Sequence, residues 1–261
     1  MMTDGKILYV NGAGFGMAGG NQGQVQYARD PVYATDLYDP EAPAGSQWTT
    51  LAPASVARLY HSGALLLESG HVITVGSEMK NLNDYYPSIN PNCWPTVERA
   101  CSDAFEYRIE RFTPPYLMSN KPRPVLSNVP TALTHDSTFF IELSSPISAV
   151  DRVTFVRYTT TTHSTNTDQR FVELEILAKD GNKIYLQMPP NAAIAPPGNW
   201  MLFALSNGVP SVAKTINLNL GAPTQVNVPG GKSGSKSGGS DSLVWSGCVV
   251  MIISLAVGAL I

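Results

Sequence analysis

Tyr60 and His61 stand side by side in Ala-Arg-Leu-Tyr-His-Ser-Gly-Ala-Leu-Leu-Leu, and His163 stands far downstream in Thr-Thr-His-Ser-Thr-Asn-Thr-Asp-Gln-Arg. Two imidazoles and a phenol form a donor set suited to Cu(II) in a tetragonal site. Neighbouring residues on a strand point to opposite faces, so Tyr60 and His61 converge on one metal only at a strand end or a bulge. The Ser62-Gly63 pair that follows is compatible with such a break. Coordination would also lower the phenol's pKa from about 10. The plainer alternative is a Tyr-His pair packing across strands and a loop histidine facing solvent. His71 takes the strand position that Lys6 holds in a matching string and is expected to face solvent, and His135, in Leu-Thr-His-Asp, is expected on a turn.

The elements that must position these residues read as short strands throughout. Residues 4–13 form a strand after an Asp-Gly turn, and residues 69–77 repeat the shape of turn, basic residue, apolar run and glycine. Ala34 to Pro40 and Trp48 to Leu51 supply two more strands, separated by Asp-Pro and Pro-Ala-Gly turns. Strand, glycine, tyrosine strand and tryptophan strand make a four-stranded repeating unit of the kelch-propeller kind, two to three blades at most. A propeller closes with four to eight blades, which makes this one incomplete. Insertions at Gly12–Gly23 account for the long repeat. Glu106 to Pro115 is the last propeller strand before a boundary. Beyond it, Thr138–Leu143, Arg152–Tyr158, Phe171–Ala178, Lys183–Gln187 and Trp200–Ser206 alternate with turns, as in an immunoglobulin-like β-sandwich. The fold class is therefore all-β: partial propeller over 1–112, sandwich over 113–222, Gly/Ser-rich linker over 223–242, and a hydrophobic helix over 243–261.

Composition sets further bounds. With 17 basic and 20 acidic side chains the formal net charge is -3, which gives no electrostatic case for a nucleic-acid partner. Cys93 and Cys101 flank a short loop, and a disulfide between them would contribute about 2.5 kcal/mol; the alternative is a pair of reduced thiols. From Leu243 to Ile261 the chain carries no charge, long enough to cross most of a ~30 Å bilayer core. A flexible polar spacer, Gly230 to Ser242, precedes it. Small residues, spacer and apolar end form the pattern of a glycolipid (GPI) anchor signal with attachment among Gly231 to Ser235; the alternative is a permanent membrane helix. Either one implies a secreted, cell-surface protein attached to the membrane through this tail, a compartment that favours the disulfide. The opening Met-Met-Thr-Asp-Gly-Lys carries no leader pattern, so the expectation is the carboxy-terminal part of a larger protein.

The Leu-Tyr-His-Ser string with its apolar run, and Thr-His-Ser-Thr-Asn-Thr-Asp-Gln-Arg, resemble the copper-binding segments of galactose oxidase and glyoxal oxidase, the copper radical oxidases. The Glu-Arg-Phe-Thr-Pro-Pro-Tyr-Leu junction and the Pro-Pro-Gly-Asn-Trp-Met-Leu-Phe-Ala string also resemble glyoxal oxidase, so the resemblance covers nearly all of residues 4–220. It implies Tyr60 as an axial ligand and as the base that takes the substrate hydroxyl proton, and His61 and His163 as equatorial Cu(2+) ligands. It also implies oxidation of a small aldehyde or primary alcohol by O2 to give H2O2. The family's radical tyrosine is bonded to a cysteine of an earlier blade. The cysteines here are Cys93, Cys101 and Cys248, none in that region, so the isolated chain is expected to be inactive. A competing reading is a cell-surface module for carbohydrate or wall binding that keeps relic copper ligands, with Tyr85, Tyr86, Trp94 and Asn199-Trp200 as sugar-stacking candidates.

Overall fold

The computed structural model describes residues 1–15, 29–77, 106–162 and 165–230. Its strands in chain order are β1 (Ile7–Tyr9), β2 (Ala13–Phe15), β3 (Arg29–Pro31), β4 (Thr35–Tyr38), β5 (Trp48–Leu51), β6 (Ser62–Leu66), β7 (Val72–Gly76), β8 (Glu110–Phe112), β9 (Leu126–Asn128) and β10 (Ala132–Thr134). Then follow β11 (Thr138–Leu143), β12 (Arg152–Arg157), β13 (Thr160–Thr162), β14 (Thr165–Thr167), β15 (Phe171–Asp180), β16 (Lys183–Gln187), β17 (Gly198–Ser206), β18 (Val209–Pro210) and β19 (Lys214–Asn219). Besides strands, the described residues hold only single 3-10 turns at Pro115–Leu117 and Ile147–Ala149. The protein is all-β, and no helix among the described residues is long and apolar enough to cross a membrane. The hydrophobic stretch 243–261 lies outside the described residues, as do Cys93, Cys101, Cys248, Tyr85, Tyr86 and Trp94.

The chain forms two units. The first comprises residues 1–67, 71–113 and 159–168, and the second 68–70, 114–158 and 169–261. In the first, β1-β4-β5 and β6-β7-β8 are three-stranded antiparallel sheets, beside the β2-β3 and β13-β14 hairpins. The expected four-stranded blades therefore show three strands each among the described residues. The tyrosine and tryptophan strands pair in register Tyr38↔Trp48, and Tyr9 joins them, its ring centroid 5.2 Å from that of Trp48.

The second unit is a single curled sheet ordered β10-β19-β17-β12-β15-β16-β11-β9, with β18 beside β17. Its curl originates in β15. The first half of this ten-residue strand pairs with β12, the second half pairs with β16, and the register shifts between Ile176 and Ala178. A bulge of this kind bends a strand and lets one sheet fold over itself. Strict alternation along β11 sends Phe139, Ile141 and Leu143 into the core and turns Thr138, Phe140 and Glu142 away from it. At the centre, the Phe155 and Trp200 rings stack 4.6 Å apart and 6° from parallel, and Trp200 Nε1 donates to Pro196 O at 3.0 Å. This overturns Asn199-Trp200 as a sugar-stacking tip. Trp200 is fully buried because it follows the Pro-Pro-Gly turn as a residue of a central strand, paired with Arg157 on one side and Ile216 on the other.

Candidate metal centre

The candidate centre is built where the β6-β7 ladder ends, at Ser62↔Gly76. Just before β6 the backbone breaks, with His61 at φ 58°. Histidine is among the few side chains that tolerate this left-handed region, and strain of that kind persists where the surroundings over-determine it. The break meets the geometric demand made by the sequence. Instead of pointing to opposite faces, the Tyr60 and His61 rings lie on the same side with centroids 3.9 Å apart. Tyr60 is half-buried and packs on Leu59, whereas His61 is exposed.

Two more unusual backbone positions complete the ladder end. Gly76 has φ 71°, and a side chain there would place Cβ 2.7 Å from His61 O. Ser77 follows at φ 139° and is buried; its Oγ accepts from Leu59 N at 2.8 Å and its carbonyl from Glu106 N at 2.9 Å. Ser62 Oγ closes the turn by donating to Leu59 O at 2.8 Å.

Beneath the pair sits Arg58, whose side chain has no exposed surface. It donates from Nη1 to Gly76 O and from Nη2 to Arg108 O, both at 2.7 Å, and its Nε lies 3.3 Å from Glu110 Oε2. Glu110 also accepts from Ser55 N and Oγ at 3.0 and 2.7 Å. Burial pushes the Glu110 carboxyl up, but the bonds from Ser55 and Arg58 outweigh it and hold its pKa below the ordinary range. Nothing in the local sequence marks Arg58. Its partners are strand-end carbonyls distant in sequence, which become visible only once β7 and β8 are paired.

An open cleft of about 590 Å³ lies beside the pair, lined by His61, Val75, Ser77, Glu106, Tyr107 and Ile109 among others. Arg108 grips Glu106 with Nε on Oε1 at 2.8 Å and Nη2 on Oε2 at 2.5 Å. That grip brings the Glu106 carboxyl down to about 2, so the cleft wall carries an ionised carboxylate paired with the Arg108 guanidinium. The same pair holds the Arg108 guanidinium above its ordinary pKa.

His163 lies outside the described residues, but both strands flanking it are defined. Strands β13 and β14 pair in register Thr162↔Thr165 and pack on β6 within the first unit. Asn166 Nδ2 donates to Ala64 O at 2.9 Å, fastening β14 to the strand that begins directly after His61. His71 is half-buried rather than solvent-facing, its carbonyl accepting from Leu67 N across the β6-β7 turn at 2.9 Å. His135 does lie on a turn, yet it is buried, with Nε2 2.7 Å from Ala195 O. Neither is near the Tyr60–His61 pair in a shared cluster: among the described residues, no three His, Cys, Asp or Glu side chains gather as metal ligands. Of the residues singled out by the sequence, the described ones brought together are the half-buried Tyr60 phenol and the exposed His61 imidazole.

Residues 1–116 match the glyoxal oxidase N-terminus family model, and residues 123–218 match the galactose oxidase-like early set domain. The chain belongs to the glyoxal oxidase and galactose oxidase-like family. It is 35% identical over 227 residues to the aldehyde oxidase GLOX of Vitis pseudoreticulata, covering 84% of this chain and 40% of that protein. With a galactose oxidase of Gibberella zeae it shares 30% identity over 222 residues, covering 81% of this chain and 28% of the other. A solved fungal alcohol oxidase of the AA5 family, in complex with copper, aligns with a TM-score of 0.62 at 26% identity, over 84% of this chain and 41% of that one. The chain spans less than half the length of each of these relatives.

Proposed function

We propose that this chain supplies the Tyr60, His61 and His163 ligands of a copper centre in an oxidase that converts aldehydes or primary alcohols, with O2, to H2O2 and the oxidised carbonyl product. The observation that carries this reading is the Tyr60–His61 apposition, 3.9 Å between rings at a strained strand end, in a chain of this family. Copper, when bound, supplies the redox chemistry. The chain's own side chains would do the rest: His61 and His163 would offer imidazole nitrogens, and Tyr60, held as a phenolate by the metal, would take the proton from the substrate hydroxyl and become a neutral phenol. Glu106, ionised and paired with Arg108, lines the cleft beside His61.

The isolated 261-residue chain is proposed to be inactive, because none of its cysteines, Cys93, Cys101 and Cys248, belongs to a position that would cross-link a radical tyrosine. The Cys93–Cys101 disulfide, the cell-surface location and the membrane attachment through residues 243–261 are part of the same proposal. Intact-mass measurement with and without reductant tests the disulfide.

The decisive experiment is a Cu(II) titration of the purified chain followed by electron paramagnetic resonance, with His61→Ala and His163→Ala alongside. A nitrogen-coordinated signal in the wild type, lost in both variants, supports the reading. Copper binding that survives both substitutions overturns it. Peroxide production from methylglyoxal by the chain alone would overturn the proposed inactivity while leaving the copper ligands in place.

A further inference from the structure

We propose that Arg58 is the positioning residue of the Tyr60–His61 pair. A guanidinium without exposed surface persists only when its donors are satisfied, and an unpaired one would be strongly destabilising. Here its planar fork reaches the Gly76 carbonyl, the Arg108 carbonyl and the Glu110 carboxylate together. The three acceptors lie at the end of β7, just ahead of β8 and within β8. The backbone of Arg58 itself is held as well, its carbonyl accepting from Gly12 N at 3.1 Å. Three residues further on the chain must enter the left-handed turn at His61 and place both rings on one side.

The geometry gives Arg58 a role that neither partner strand can fill. Leu59 N is tied to Ser77 Oγ, and Ser62 Oγ to Leu59 O, so the turn has local ties on both sides of the pair. Those ties fix the turn's shape. The bond from Arg58 to Gly76 O fixes its height against the sheet, since Gly76 is the ladder partner of Ser62 and lies under the His61 carbonyl. A lysine at position 58 carries the same charge but cannot reach three acceptors in one plane. Groups that hold ligands in place from behind are typically worth a factor of 10–100 in metal affinity.

The test uses the full chain as wild type, Arg58→Lys and Glu110→Gln. The first readout needs no metal: the NMR cross-peak between the Tyr60 and His61 ring protons, with the Trp200 indole signal as an internal check on the sandwich. Loss of the inter-ring cross-peak in Arg58→Lys, with the Trp200 signal unchanged, is the expected result. A cross-peak as strong as in the wild type overturns the proposal. If Arg58→Lys loses the signals of the whole first unit, Glu110→Gln decides, because it removes the carboxylate charge that holds the plane of the Arg58 fork against its two carbonyl acceptors while keeping the arginine itself. A weakened cross-peak in that folded variant supports the proposal, and an unchanged one overturns it. The second readout is Cu(II) affinity, expected to fall about 10- to 100-fold in Arg58→Lys. The role of Arg58 in catalysis rests on the copper reading, yet the two fail separately. A wild type that binds no copper but loses ring contact in Arg58→Lys removes the copper reading and leaves the positioning role standing.

Discussion

Gly63 and Thr161 approach each other so closely that a Cβ on Gly63 would lie 2.8 Å from Thr161 Cγ2. The absence of a side chain at Gly63 is thus what lets the β13-β14 hairpin pack closely on β6. Gly63→Ala is expected to push the hairpin away, at the roughly 1–3 kcal/mol typical of overpacking. Hydrogen exchange at the Ala64 and Asn166 amides would read the change. Unaltered protection in the alanine variant would show that the close approach does not matter.

The ladder end makes a sharper demand at Gly76. Alanine there meets a left-handed φ, costing about 1–2 kcal/mol, and a backbone oxygen 2.7 Å away that cannot swing aside. Gly76→Ala is expected to destabilise the first unit more than Gly63→Ala does. Chemical denaturation of the two variants, compared with the wild type, measures the order, and the reverse order would contradict the geometry.

The Glu106–Arg108 pair predicts a specific pH dependence. Its carboxyl titrates at about 2 in the folded protein against an ordinary 4.5. A lowered carboxylate pKa stabilises the fold fully above the ordinary value, and this contribution fades as pH falls from about 4.5 through about 2. Glu106→Gln should therefore be less stable than the wild type at neutral pH and converge with it toward pH 2. A stability difference that stays constant across that window would rule out the linkage.

In the sandwich, Trp200 should be the costliest truncation. Trp200→Ala removes a fully buried ring, its stack on Phe155 and its bond to Pro196 O, an expected loss of 3–5 kcal/mol. Trp200→Phe keeps most of the buried area and should lose clearly less. Equal losses for the two would mean that the ring and its stack contribute little.

Much of this architecture was legible in the residues. Trp48–Leu51, Thr138–Leu143 and Lys183–Gln187 are strands with the expected bounds, because β-branched and aromatic residues alternate there between clear turn signals. The backbone break beside Tyr60 and His61 was legible too, as what the two side chains need in order to lie on one side. What escaped reading depends on partners remote in sequence. Arg58 looks like any surface cation until the carbonyls of Gly76 and Arg108 are brought to it. The strand beginning at Trp200 was expected, but that it lies between two others and buries the Trp200 ring was not, so the sugar-stacking alternative stayed open at Asn199-Trp200. The halves of β15 serve different neighbours, and only the register shift after Ile176 reveals the switch.

One pairing in the second unit departs from its antiparallel surroundings: β10 runs parallel to β19, Ala132 beside Asn217 and Thr134 beside Asn219. Beyond it, the Thr134 hydroxyl donates to Ala222 O and Val226 N donates to Thr138 Oγ1, so the departing chain is stitched to the same region. Strands near the start and the end of the unit thus lie side by side, pointing the same way. Tension along the polypeptide would drag them past each other lengthwise, and the ladder bonds would share the load instead of parting one after another. This seam gives the unit the mechanics of a clamp loaded in shear.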